Sequence, residues 1–151
     1  ICPAPRSHSA SNVKIKRNCM LAAGTYLTDA DWHDIYDRTR PIGNTKPIML
    51  EENVWIGDSS IICKGVTIGE NSIIGAGSVV TNDIPSGVIA AGNPATPIKK
   101  LSNEERIVTR DSIFTDLDLL NRKVKEIDRI ALANNTFFGW ISNKFSPRRG
   151  D

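Results

Sequence analysis

Cysteine is scarce in this 151-residue chain: Cys2, Cys19 and Cys63 make an odd set with no CxxC pair. Such a scattered set supports neither a disulfide framework nor a cysteine metal site, and a reducing compartment is the simplest expectation. Histidine is scarcer, with two in all, His8 and His33. Charge of one sign is also lacking, since 19 Lys and Arg face 17 Asp and Glu. No basic stripe with interleaved aromatics appears, so nothing asks for nucleic acid. No apolar run reaches the ~18 residues of a membrane span, and no signal peptide is visible. A cytoplasmic protein follows as the expectation. Its length suits one domain with a core, or a repeat array with one appended element.

What is present is a period. Between Leu50 and Val80 an aliphatic residue returns every sixth position, at Leu50, Ile56, Ile62, Ile68, Ile74 and Val80. Four residues after each of the first five come Val54, Ser60, Val66, Ser72 and Ser78, and Gly follows the aliphatic residue at 57, 69 and 75. Neither an amphipathic helix nor a half-buried strand has period six. A stack of short parallel strands does, with one aliphatic side chain per strand pointing inward; a fixed short period marks a solenoid. Small residues then fit the corners, and Gly in the turns supplies backbone conformations that other residues resist.

The same period runs earlier in its own register, through Ser9, Ile15, Leu21 and Leu27, with Val13, Cys19 and Thr25 at the fifth places. Between the blocks, residues 28–47 are polar, TDADWHDIYDRTRPIGNTKP, and read as an excursion loop from one corner of the coil. Long loops of this kind tend to be functional. After TNDIPSG the character changes. Ser102 with Glu105 forms a capping-box pattern,. Ile107, Ile113, Phe114, Leu117, Leu120, Val124, Ile127 and Ile130 then recur at helical spacing, which predicts one or two helices over 103–133,. The expected division is therefore 1–101, solenoid, and 102–151, helical extension. The tail holds Phe137, Phe138, Trp140 and Ile141 ahead of Lys144, Arg148 and Arg149. It reads as a segment docked on the body or a neighbouring subunit, or as a weak membrane-surface contact.

The stretch NVWIGDSSIICKGVTIGENSIIGAGSVVTNDIPSGVIAAGNPA, Asn53 to Ala95, closely resembles the hexapeptide-repeat acyltransferases, best in their galactoside, maltose and xenobiotic acetyltransferase branch. NVWIG, GVTIG, IGAGSVVT, DIP and AAGNPA stand in the family's order, and with TDADWH the resemblance covers roughly residues 9–101. It implies a left-handed parallel β-helix with three hexads per coil, here followed by a C-terminal α-helix. Most parallel crossovers are right-handed, so the handedness rests on the resemblance alone. The resemblance also implies a homotrimer with acetyl-coenzyme A lying in the grooves between subunits, no metal, and a small-molecule acceptor bound near a loop of the neighbour.

Acyl transfer from a thioester to a hydroxyl needs a base, donors for the oxyanion and a groove that holds both substrates in attack geometry. His33 is the expected base, because imidazoles exchange protons near neutrality and the family's catalytic histidine lies in the same loop. Asp29, Asp31 and Asp34 are expected to orient the ring or bind the acceptor, against the alternative of solvated charges and turn caps. His8 reads as structural. Carried over from the family, Trp55, Asp58, Ala76, Thr81, Asn82, Thr96 and Lys99 are the groove residues for coenzyme A, with Lys99 suited to its phosphates. Asp58 stands where the sugar acetyltransferases carry Ser, Asn82 where they carry Lys and Thr96 where they carry Arg. The family's oxyanion asparagine has no counterpart in Pro3 to Arg6. Either a backbone amide replaces it, or the coil that bears it precedes Ile1.

The leading expectation is O-acetylation of a sugar, glycan precursor or similar polar hydroxyl compound. N-acylation of an amino sugar by the same fold is an alternative, as is a non-catalytic trimeric scaffold. A γ-type carbonic anhydrase shares the solenoid, but its zinc needs three histidines and this chain has two.

Overall fold

A computed structural model describes residues 6–8, 10–102 and 104–133. It divides into two compact units, Ile1–Thr109 and Arg110–Asp151.

The first unit is built from very short strands: β1 (Arg6–His8), β2 (Val13–Ile15), β3 (Met20–Leu21), β4 (Tyr26–Thr28), β5 (Ile48–Leu50), β6 (Trp55–Ile56), β7 (Ile61–Ile62), β8 (Thr67–Ile68), β9 (Ile73–Ile74), β10 (Val79–Val80), β11 (Val88–Gly92) and β12 (Ala95–Lys100). They form three sheets: sheet A in the order β1-β4-β7-β10, sheet B in the order β2-β5-β8, and sheet C in the order β12-β11-β9-β6-β3. The chain visits A, B and C in rotation. The neighbours in each sheet are parallel, except β11 and β12, which close the array as an antiparallel pair.

The six-residue period is the reason. Strands of two or three residues cannot bury a core alone, so each stacks on the equivalent strand of the next coil. Leu50 pairs with Ile68, Ile56 with Ile74 and Ile62 with Val80, each 18 positions on. These six side chains are all 0% exposed. The buried serines beside them satisfy their hydroxyls within the coil: Ser60 donates to the Gly75 carbonyl (3.0 Å) and Ser72 to the Pro85 carbonyl (2.7 Å), while Ser78 accepts from the Gly92 amide (3.2 Å),.

Two details differ from the sequence reading. Ile15 belongs to the inward series but is 45% exposed. Among the described residues its strand β2 ends sheet B with a neighbour on one side, whereas β4 lies between β1 and β7 and buries Leu27. The glycines after the aliphatic residues also serve a different purpose. A Cβ added to Gly57 would lie 2.6 Å from the Ala76 amide nitrogen, and one on Gly69 would lie 2.4 Å from the Ser86 nitrogen. These positions are empty so that the next coil can close down. The left-handed backbone falls elsewhere, as at Asn18, Asn53 and Asn71 (φ 61°, 56° and 60°), a stacked corner where asparagine tolerates it,. Asn53 Nδ2 donates to Asn71 Oδ1 there (2.8 Å).

The segment after β12 remains part of the first unit, so the division falls after Thr109 rather than after Leu101. The Leu101 amide donates to the Gly87 carbonyl (2.8 Å), and Ile107 and Val108 help line a small cavity with Met20, Trp55 and Ile73. No helix starts at Ser102, whose hydroxyl instead accepts from the Glu104 amide (3.2 Å). The β-branched run Ile107-Val108-Thr109 opposes helix there,. In the second unit the helices are α1 (Asp111–Thr115) and α2 (Leu117–Ala131). Asp116 caps α2 by accepting from the Leu119 amide (2.9 Å),. The tail at 136–151 lies outside the described residues. Among those described, no helix is long and apolar enough to cross a membrane.

Candidate active site

The excursion leaves sheet A after β4 and returns to sheet B at β5. Its two limbs pair antiparallel near the root. Ala30 bridges Thr45, the Asp31 amide donates to the Asn44 carbonyl (2.9 Å), and the Gly43 amide donates back to the Asp31 carbonyl (2.7 Å). Trp32 Nε1 donates to Thr28 Oγ1 (3.0 Å), which holds the outgoing limb against β4.

The three aspartates separate into three roles. Asp29 is 0% exposed, and its carboxylate oxygens accept from the Ala10 and Ser11 amides (2.8 and 2.7 Å). A carboxylate so enclosed braces the loop root against the first coil, which corrects its expected place at the acceptor. Asp31 forms an ion pair with Lys64, which follows β7 on the coil body. Asp34 builds the loop tip: its Oδ1 accepts from the Tyr36 and Asp37 amides (2.9 and 3.0 Å). Those amides, Asp37's first, hold the Asp34 carboxyl below its usual pKa, with a further contribution from Arg40.

This lowered value carries a sign. The turn gains from ionised Asp34 above the ordinary aspartate value of about 3.9, and loses that gain as pH falls through the lower folded value. Titration followed by the Tyr36 and Asp37 amide proton shifts is expected to show one shared midpoint below about 3.9. A midpoint at or above that value means the turn is not formed in solution.

His33 is exposed at the tip, and its Nδ1 lies 3.1 Å from the Arg38 carbonyl oxygen. A carbonyl only accepts, so this bond places a proton on Nδ1, and in the neutral ring the lone pair is then on Nε2. His33, Asp34, Ile35 and Arg38 line an open hollow of about 450 Å³. The ring thus lies beside a space large enough for a small polar molecule. Burial pushes the Cys19 and Cys63 thiols up, which keeps both protonated and makes neither a nucleophile,.

The residues expected to hold coenzyme A lie around the coil, and none of them lines the His33 hollow. Trp55 projects from β6 in sheet C and is 44% exposed. Asp58 and Ala76 are exposed and stack at the corner from sheet C to sheet A, where the Gly77 amide donates to the Asp58 carbonyl (2.7 Å). Thr81 and Asn82 are exposed just after β10, at the corner from which the loop also departs two coils earlier in sheet A. Asn82 Nδ2 donates to Thr81 Oγ1 (3.2 Å). Thr96 and Lys99 are exposed on β12, opposite Ala91 and Ile89. Among the described residues, no cluster of His, Cys, Asp and Glu is placed to hold a metal ion.

Residues 47–82 match the family described as bacterial transferase hexapeptide, six repeats. The chain is similar to the galactoside O-acetyltransferase of Escherichia coli, at 41% identity over 96 residues, which are 62% of this chain and 47% of that protein. It is also similar to the structure of a galactoside acetyltransferase in complex with coenzyme A, at 35% identity and a TM-score of 0.62, covering 69% of this chain and 54% of the other. A maltose O-acetyltransferase structure from Clostridium difficile aligns at 31% identity and a TM-score of 0.51, over 66% of this chain and 71% of the other. The chain belongs to the hexapeptide-repeat acyltransferases. It spans about half the length of the curated relatives it matches.

The matched hexapeptide segment contains Trp55, Asp58, Ala76, Thr81 and Asn82, while the His33 loop and Lys99 fall outside it. Sequence reasoning missed three features of the loop: the Arg38 carbonyl on His33, the close approach of Gly43, and Lys64. The first two depend on how the loop folds back. The partner of Lys64 lies in the insertion, and no repeat position announces it.

Proposed function

We propose that the chain is the core of an acetyl-coenzyme A-dependent O-acetyltransferase, built as a left-handed parallel β-helix and working as a homotrimer. The acceptor is a hydroxyl of a sugar, glycan precursor or similar small polar molecule. The observation that carries this reading is the exposed His33 ring, held by its Nδ1 contact to the Arg38 carbonyl (3.1 Å) beside the hollow it lines.

In this reading Nε2 takes the acceptor's hydroxyl proton as the oxygen attacks the thioester carbonyl carbon. The tetrahedral intermediate collapses, the C–S bond breaks, and the imidazolium returns the proton to the departing coenzyme A sulfur. Asp34 shares the hollow with His33 and offers a carboxylate to the acceptor. Trp55, Asp58, Ala76, Thr81, Asn82 and Lys99 serve the coenzyme from a neighbouring subunit, in keeping with their absence from the lining of the His33 hollow.

The test is titration with acetyl-coenzyme A, then thiol release with panels of sugar hydroxyl and amino-sugar acceptors, together with the solution mass. Saturable binding, hydroxyl-dependent thiol release and a trimer mass are expected. Release with amines alone reassigns the acceptor to nitrogen, and absence of binding makes the coil a scaffold.

A further inference from the structure

The root of the loop contains a charge pair that the proposed chemistry does not use. Asp31 lies two residues before His33 on the outgoing limb, and Lys64 lies on the coil just after β7. Their side chains are ion-paired, and each retains only about a third of its exposure, 32% for Asp31 and 27% for Lys64. The Asp31 backbone is bound on both sides, to the Asn44 carbonyl and the Gly43 amide (2.9 and 2.7 Å). A Cβ on Gly43 would lie 2.5 Å from the His33 carbonyl oxygen, so the returning limb is already in contact with the histidine backbone. His33 is thus pressed by one limb at Gly43 while the other limb is tied to the coil through Lys64.

We propose that the Asp31–Lys64 pair is a positioning device for His33: it fixes the loop to the solenoid so that the imidazole meets the Arg38 carbonyl and presents Nε2. This rests on the reading of His33 as the base. An exposed ion pair contributes little to stability. A partly covered pair joining a loop to a rigid body acts instead on geometry, and a displacement of about 1 Å at a reacting group can cost 10²-fold in rate. Lys64 is a positioning residue in this account, since it acts on the reaction through Asp31.

Two readouts test it on the whole chain. The first is steady-state transfer by Lys64→Met, Asp31→Asn and the double variant. Each single change is expected to lower kcat about tenfold or more with KM for acetyl-coenzyme A unchanged. The double variant is expected to be no worse than either single one, because both remove the same contact. Lys64→Arg is expected to restore most of the rate. A rise in KM with kcat intact overturns the proposal and makes Lys64 a coenzyme ligand. The second readout is the pair of imidazole nitrogen shifts of His33, which report the tautomer without any turnover. Wild type is expected to show the Nδ1–H form, and Lys64→Met a mixture of both. Unchanged shifts together with unchanged kcat overturn the positioning role. A shifted tautomer combined with full activity of His33→Ala would keep the positioning role and sink His33 as the base.

Discussion

Replacing His33 with Ala is expected to lower kcat by about 10² to 10⁴-fold, while the melting temperature and the assembly mass stay at their wild-type values. The two halves of that expectation come from different observations. The ring is exposed at the loop tip, so its loss opens no cavity in the coil. The loop stays shaped by bonds that do not pass through the ring: Asp34 to the Tyr36 and Asp37 amides, Asp29 to the Ala10 and Ser11 amides, and the backbone pairing of Asp31 with Gly43 and Asn44. What disappears is Nε2, with the Nδ1 contact that sets the ring's tautomer. Because Trp55, Thr81 and Asn82, proposed above to serve the coenzyme, belong to the coil, binding of acetyl-coenzyme A to the variant is expected to persist. The measurement is the rate of acceptor-dependent thiol release beside a coenzyme titration and a thermal melt. A variant that kept most of its rate would move the base elsewhere, and one that lost its melting transition would give His33 a structural role.

The coil was legible because its physics is local and repeated. Leu50 to Val80 at period six, with small residues at the corners, specify which side chain points inward at every turn, and all six aliphatic residues are buried. Legibility fails where an outcome depends on what lies beside a residue. Ile15 obeys the pattern and remains exposed because no described strand covers its side of β2. Ser102 and Glu105 spell a capping box, yet the β-branched residues that follow leave residues 104–109 without helix. The candidate site divides in the same way. The type of residue at 33 and its place in an insertion were readable, as were the repeat corners of Asp58, Ala76, Thr81 and Asn82. The fates of Asp29, Asp31 and Asp34 were not, since three similar carboxylates within six positions differ only in what the folded loop brings to each: two backbone amides of the first coil, a lysine of the coil body, and two amides of its own turn.

Truncating the middle of the core is the sharpest test of the coil itself. Ile62→Ala is expected to cost about 2–5 kcal/mol, and Ile62→Val about 0.5–1.5 kcal/mol. Ile62 is 0% exposed on β7, paired with Leu27 on one side and Val80 on the other. The Ile61 and Cys63 amides donate to the Ser78 and Val80 carbonyls (2.8 and 2.9 Å), which fixes the distance to the next coil. Strands bonded at about 4.8 Å cannot close over a missing side chain, so the void persists and the loss falls in the upper part of the range. Ile15→Ala, at a side chain that is already 45% exposed, is expected to cost less than about 1 kcal/mol,. In a stack where each coil touches only its neighbours, stability is a sum of coil terms and interface terms. A cut at Ile62 weakens two interfaces at once, whereas one at Ile15 weakens a single interface that is already half exposed. Denaturant midpoints of the two variants compare these directly, and equal losses would mean that the period-six residues do not act as a stack.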